Sequence, residues 1–239
     1  TEHHLAHMYS ARYLSNASEM AFLSFDGLGD FVSAAAGKTF AGKRADSGGI
    51  RIFDRVTFPH SLGFFYTAMT QYLGFPYFGD EFKVMGLSSY GEPKFLPVLR
   101  RLIREVDPWG FQLNLEAFPI LRNPKSFYVE KGQPYVKPLY NAPFLTSLLG
   151  IGPRKSKEPL THVHWDLAKS IQVRFEEVAT HLLRYVDSKA SCKSIGRVGG
   201  CAHNSVWVGK VRAQTSFDEI IVAPASHDAG IAVGAAMAL

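Results

Sequence analysis

Residues 3–30 read HHLAHMYSARYLSNASEMAFLSFDGLGD. Leu5, Met8, Ala11 and Arg12 recur at helical rather than alternating spacing, and no Gly or Pro interrupts, so residues 3–15 are predicted to be a helix ended by Asn16 and Ser18. On that helix His3 and His7 lie one turn apart on one face, and His4 points about a quarter-turn away. Met20 to Phe25 is a short apolar run suited to a buried strand, and Asp26-Gly27-Leu28-Gly29-Asp30 is predicted to be the turn after it.

Each half of this stretch has two readings. Two neutral imidazoles one turn apart can share a divalent ion, zinc or iron by ligand type, although pairs at this spacing are more often incidental. Nothing here matches HExxH, so no glutamate base is implied. The aspartates and glycines of 26–30 can cradle a phosphate or a hydrated cation, or they can be an ordinary Asp-Gly hairpin turn.

Outward from this stretch, Phe31 to Ala36 is expected to be the returning strand. Lys38 to Ser47 reads as loop and Ile50 to Phe58 as a further strand. Helices are predicted over 62–73 after Pro59-His60-Ser61, over 82–91, over 95–106, and over 167–187 with Asp166 as N-cap. Between about 110 and 160 short runs such as FQLNL and PYVKPLY sit among Asn, Pro and Gly, the pattern of a β insertion. Pro143 to Pro159 reads as loop with one apolar turn, FLTSLLGIG, and with Arg154, Lys155 and Lys157 on a mobile stretch. Ser194 to Val198 and Glu219 to Val222 are the last strands, and a small-residue helix over 231–239 ends the chain.

Two more motifs follow those last strands. Gly199-Gly200-Cys201-Ala202-His203-Asn204 is either an anion or ribose site at a helix start or a tight strand–helix turn. In Ser226-His227-Asp228-Ala229-Gly230, Asp228 is either a metal carboxylate or an N-cap. The stretch from Gly79 to Gly86, with Glu81 and Lys83, reads first as a helix start with surface charges. No P-loop and no G-x-S-x-G elbow is present.

The 239 residues are 46% hydrophobic and 20% charged, enough to bury one large core or two small lobes. Net charge is +5, but the 26 Lys and Arg are scattered, which fits anionic small ligands better than a nucleic-acid face. Two cysteines without a framework imply a reducing, cytoplasmic setting. No apolar run nears the roughly 20 residues of a membrane helix. The chain begins at Thr1 inside a helical pattern, which is expected of a fragment lacking its upstream part.

Taken in order, HHLAH, DGLGD, FPHSLGFFYTAMTQYLGF, GDEFKVMGLSSYGEP, GGCAHNSVWVGK and APASHDAGIAVGAA resemble the O-carbamoyltransferases of the nodulation and antibiotic-tailoring type, relatives of the tRNA threonylcarbamoyl transferases. The resemblance runs from residue 2 almost to the end and is weakest between about Arg101 and Lys157. It implies an α/β, actin-like (sugar-kinase-like) fold with ribonuclease-H-like lobes. Residues 1–19 would be the closing helix of lobe I, and 20–239 lobe II with the insertion at about 110–160. It implies metal ligation, by iron in this family, at His3, His7 and Asp228. It also implies a second phosphate loop at Asp26, Gly27, Gly29 and Asp30, with Asp26 helping to deprotonate the acceptor. Gly199, Gly200 and Asn204 would form an adenosine-side turn, and Glu81 and Lys83 a nucleotide-facing helix.

The implied chemistry is carbamoyl transfer from carbamoyl-adenylate, made by a separate domain from ATP and carbamoyl phosphate, to a hydroxyl of a small-molecule acceptor. The resemblance leaves room for a homodimer. Two other readings are a nucleotide-binding module inactive as a fragment, and threonylcarbamoyl transfer to tRNA. Three residues depart from the family pattern: His203 and His227 replace smaller or apolar residues, and Arg197 makes its strand unusually polar.

Overall fold

The computed structural model describes residues 1–40, 49–119, 127–130 and 132–238. The chain forms two compact units. The first comprises 1–63, 105–110 and 179–239, and the second 64–104 and 111–178.

The first unit is built on a five-stranded sheet. Its strands are β1 (Ala21–Gly29), β2 (Val32–Phe40), β3 (Gly49–Thr57), β8 (Ser194–Val198) and β9 (Glu219–Val222). Their spatial order is β3-β2-β1-β8-β9. Strand β2 runs antiparallel to β1 and β3, whereas β1, β8 and β9 are mutually parallel. The centre of the sheet is buried on both faces. That is why β1 reads as a continuous apolar run rather than an alternating one.

Helix α1 (His3–Tyr13) lies on one face of this sheet with α8 (Ile231–Met237) against it. Small residues set these approaches. A Cβ on Gly37 would stand 3.0 Å from the Met8 sulfur, one on Gly196 would stand 3.2 Å from the Ala11 methyl, and one on Gly234 would stand 1.7 Å from the Ala6 carbonyl oxygen. Met8, Ala11, Met20, Phe22 and Val198 form the core beneath α1.

The second unit holds α2 (Leu62–Tyr72) from Phe64 on, together with α3 (Glu81–Leu87), α4 (Leu96–Leu102), α5 (Ala142–Leu149) and the start of α6 (His162–Ala190). It also holds short strands β4 (Ile103–Glu105), β5 (Phe111–Leu113), β6 (Phe127–Glu130) and β7 (Gln133–Val136). From Ala179 onward α6 belongs to the first unit.

Several local expectations change. Lys38 to Phe40 continue β2 rather than starting a loop, and 41–47 of that loop lie outside the described residues. The helix expected over 95–106 stops at Leu102, where Ile103 turns extended. Asp166 does not cap α6, which starts at His162. Its carboxylate instead accepts from Glu92 N at 2.8 Å and Lys94 Nζ at 2.7 Å. Arg154 is not on a mobile stretch: it is buried, and its guanidinium donates to the carbonyls of Leu73, Ser156 and Glu158. Of the expected β insertion, residues 120–126 and 131 lie outside the described residues.

Candidate metal centre

The turn expected over 26–30 is not one. Strand β1 continues to Gly29, and the tight connection is Asp30-Phe31, both left-handed at φ 50° and 61°. The pairing register shifts between Phe25 and Gly29. This irregularity lifts Asp26-Gly27-Leu28 out of the ladder, as bulges near functional sites do. Residues 61–63, where α2 opens, secure it from outside: Ser61 Oγ donates to the Gly27 carbonyl at 2.5 Å, and a Cβ on Gly63 would stand 2.9 Å from the Gly27 backbone.

Freed from the ladder, the Asp26 carboxylate turns toward α1. It accepts from Gly27 N through Oδ1 at 2.6 Å and from Gly200 N through Oδ2 at 3.0 Å. The same Oδ2 stands 3.2 Å from His7 Nε2 and 3.9 Å from His3 Nε2. The two imidazole Nε2 atoms face each other at 3.1 Å. Asp228 Oδ1 completes the group, 3.5 Å from His7 Nε2 and 3.7 Å from His3 Nε2. One donor atom from each of the four residues lies within 4.8 Å of every other.

This cluster is electrostatically tight. Burial alone would raise the Asp26 carboxyl, but hydrogen bonding by His3, His7, Gly200 N and Gly27 N outweighs it and holds the group well below the usual carboxylate range. The Asp26 hydrogen bond raises His3 above its ordinary value against the opposing effect of burial. The charges of Asp26, Asp228 and Asp30 add to that rise.

A divalent cation fits this donor set. Two imidazole nitrogens and two carboxylate oxygens converge without an intervening group, and such a mixed set suits iron or zinc. Two facing Nε2 atoms cannot both use a proton, so at least one lone pair is aimed at its neighbour. His4 and His227 are not part of the set. His4 Nε2 meets the Val32 carbonyl at 3.0 Å, and its Nδ1 meets Ser24 Oγ at 2.7 Å, inside the core. His227 Nδ1 accepts from Ala229 N at 3.2 Å, so its proton sits on Nε2 and that nitrogen is a donor. His227, not Asp228, caps the following turn, which leaves the Asp228 carboxylate free of that duty.

A sequence profile for the family described as Carbamoyltransferase N-terminus matches residues 1–237. The chain belongs to this carbamoyltransferase N-terminal family. Among curated relatives, nodulation protein NolNO of Sinorhizobium fredii is 33% identical over 98% of this chain and 30% of its own length. Nodulation protein NolO of Bradyrhizobium diazoefficiens is 32% identical over 98% of this chain and 37% of its own. The chain thus spans about a third of the length of these relatives. A crystal structure of T. kodakarensis HypF aligns with 99% of this chain and 36% of its own at 14% identity and a TM-score of 0.45, too distant to carry an argument.

In this carbamoyltransferase N-terminal chain the residues singled out from sequence do not all meet. His3, His7 and Asp228 come together, from opposite ends of the chain, and Asp26 joins them. Asp30 lies beside them, its carboxylate accepting from His3 N at 2.9 Å. The glycines supply clearance. A Cβ on Gly29 would stand 2.1 Å from the His3 ring, one on Gly200 3.0 Å from Asp26 Oδ1, and one on Gly199 2.2 Å from the Phe25 carbonyl oxygen. Gly199, at φ +89°, also donates to the Ser226 carbonyl at 2.7 Å. Asn204 caps α7 (Ser205–Val208), its Oδ1 accepting from Trp207 N at 3.0 Å. Glu81 and Lys83 belong to the second unit. There Glu81 accepts from Thr67 Oγ1 at 2.5 Å and Lys83 pairs with Asp80 at 2.6 Å.

Sequence reading missed Asp26 as a neighbour of the histidines, and missed Ser61 and Gly63 altogether. The Asp-Gly dipeptide pointed to a hairpin turn, and only the register shift reveals a bulge.

Proposed function

We propose that this chain is the acyl-transfer part of a carbamoyltransferase. It would move a carbamoyl group from carbamoyl-adenylate to a hydroxyl of a small-molecule acceptor, with His3, His7, Asp26 and Asp228 holding one divalent ion, iron by family resemblance. The observation that carries this reading is the convergence of those four side chains. The sheet order β3-β2-β1-β8-β9, with an antiparallel meander beside a parallel pair, supports a ribonuclease-H-like lobe of an actin-like fold. ATP and carbamoyl phosphate would be consumed upstream, in a separate adenylate-forming domain.

A bound divalent ion would supply Lewis-acid polarisation of donor oxygens. The chain's own residues do the positioning. Helix α1 fixes both imidazoles, the bulge at Asp26-Gly27 fixes one carboxylate, and the side chain of Asp228, 71% exposed, leaves the cluster open to solvent on its side. The base role expected of Asp26 does not suit it. A carboxylate held far below its ordinary value has little tendency to take a proton from a hydroxyl. Positioning and charge stabilisation are left as the chain's main contributions.

The test is made in the full protein by metal analysis alongside a carbamoyl-transfer assay. His3→Ala with His7→Ala should abolish stoichiometric metal and lower transfer by about a hundredfold or more, with the fold retained. Undiminished transfer in that double variant would overturn the reading.

A further inference from the structure

Arg197 is the most anomalous charge among the described residues of the first unit. It lies in β8 at 1% exposure. Its neighbour Gly196 faces Phe22 and Ala11 on the α1 side, so the Arg197 side chain points to the opposite face. Its register partners there are Leu23 on β1 and Val222 on β9, and its guanidinium stacks on the Trp207 ring at 5.1 Å. Nε and Nη1 are both buried without a hydrogen-bond partner. Among the described residues no carboxylate compensates the charge, and burial lowers it to about 10.

The surrounding polar groups are already committed to one another. Trp207 Nε1 donates to Thr180 Oγ1 at 3.1 Å, and Thr180 Oγ1 donates to Gln214 Oε1 at 2.9 Å. The buried arginines of the second unit behave differently. Arg174 donates to the Ile103 carbonyl and pairs with Glu177, and Arg154 is met by carbonyls. A guanidinium that stays charged at neutral pH, out of water, with free N–H groups and no counter-charge is costly unless something anionic meets it.

We propose that Arg197 is the anchor of an internal anion site, in which a small oxyanion, phosphate or carboxylate, sits against its free N–H groups on the Trp207 side of the sheet. The anion arrives either as a free ion or as the acidic end of a larger ligand. Charge-assisted hydrogen bonds to a guanidinium suit both.

The experiment is thermal unfolding of the full protein against inorganic phosphate, acetate and phenyl phosphate, at ionic strength held constant with gluconate. The wild type should gain about 5–10 °C at roughly a hundredfold excess over Kd for at least one probe. Protection by the small ions alone identifies a free anion, and protection by phenyl phosphate as well identifies the end of a larger ligand. Arg197→Met should unfold at or above the wild-type midpoint without added anion and gain nothing from it. Arg197→Lys, which keeps the charge but loses the planar donors, should need about tenfold more anion. His7→Ala should respond as the wild type does, which separates this site from the metal cluster. A flat wild-type response to all three probes, or an equal gain in Arg197→Met, overturns the proposal.

Discussion

His3 and His7 present their Nε2 atoms to each other across 3.1 Å, with the Asp26 carboxylate 3.2 Å from the second of them. In the metal-free protein this arrangement is stabilised by a proton. His3 is raised, so its contribution is complete below the ordinary imidazole value of about 6.5 and is lost as pH rises through its folded value. Asp26 is depressed, so its contribution is present above about 3.9 and is lost only as pH falls toward its lower folded value. A divalent ion needs both imidazoles neutral and displaces that proton. Metal affinity should therefore weaken about tenfold per unit as pH falls below the raised value of His3. Calorimetry in buffers of different ionisation enthalpy should detect proton release on ion binding that is larger at pH 6 than at pH 8. Chelator should lower the unfolding midpoint more at pH 8 than at pH 6.

Gly29 is predicted to matter to the metal through His3 rather than through a phosphate. A methyl there would stand 2.1 Å from Cγ and Cδ2 of the His3 ring, so the ring must leave its position. Gly29→Ala should weaken metal binding by about 10–100-fold and cost about 1–3 kcal/mol of stability. The two losses separate in a cycle with His3→Ala. In that background the clash is gone, and Gly29→Ala should cost much less.

Gly234 is predicted to be the least replaceable small residue of α8. Its added Cβ would stand 1.7 Å from the Ala6 carbonyl oxygen and 2.9 Å from Ser10 N. Both are helix backbone and cannot swing aside. Gly234→Ala should cost about 3 kcal/mol or more, read as a drop in the urea midpoint. Gly209 is the control: only the Ser205 carbonyl oxygen lies within 4 Å, at 3.9 Å, and Gly209→Ala should change stability by less than about 1 kcal/mol.

What the sequence showed, and what it hid, follows from the range of each signal. The α1 pair was legible because helical spacing alone puts His3 and His7 on one side. Strands β1, β8 and β9 were legible because their apolar runs are short and bounded, and β3 because its residues alternate. Asp228 could be joined to the histidines through family resemblance but not through spacing, since more than 200 residues intervene. The bulge at Asp26 was hidden because Asp-Gly is equally at home in a tight turn. The hairpin instead closes at Asp30-Phe31, where nothing in the composition advertises two left-handed residues. Asp166 and Arg154 were misread for a related reason: a carboxylate near a helix start reads as a cap, and a charge in a loop as solvated, until the tertiary partners are known.

His4 should prove structural although it sits inside the HHLAH motif. The Val32 carbonyl can only accept, so His4 Nε2 carries the proton and Nδ1 accepts from the Ser24 hydroxyl. The ring is fully buried, and burial lowers its pKa, with the Val32 bond opposing. The unfolded chain therefore binds a proton near pH 6.5 that the folded chain refuses, and stability is lost as pH falls from about 6.5 toward the folded value. His4→Ala strands the Val32 carbonyl and the Ser24 hydroxyl in the core and should cost about 2–4 kcal/mol. Its metal stoichiometry should equal that of the wild type, and the loss of stability between pH 7.5 and pH 5.5 should be shallower, because the refusing group is gone. A variant that loses its metal while unfolding at the wild-type midpoint would instead place His4 among the ligands.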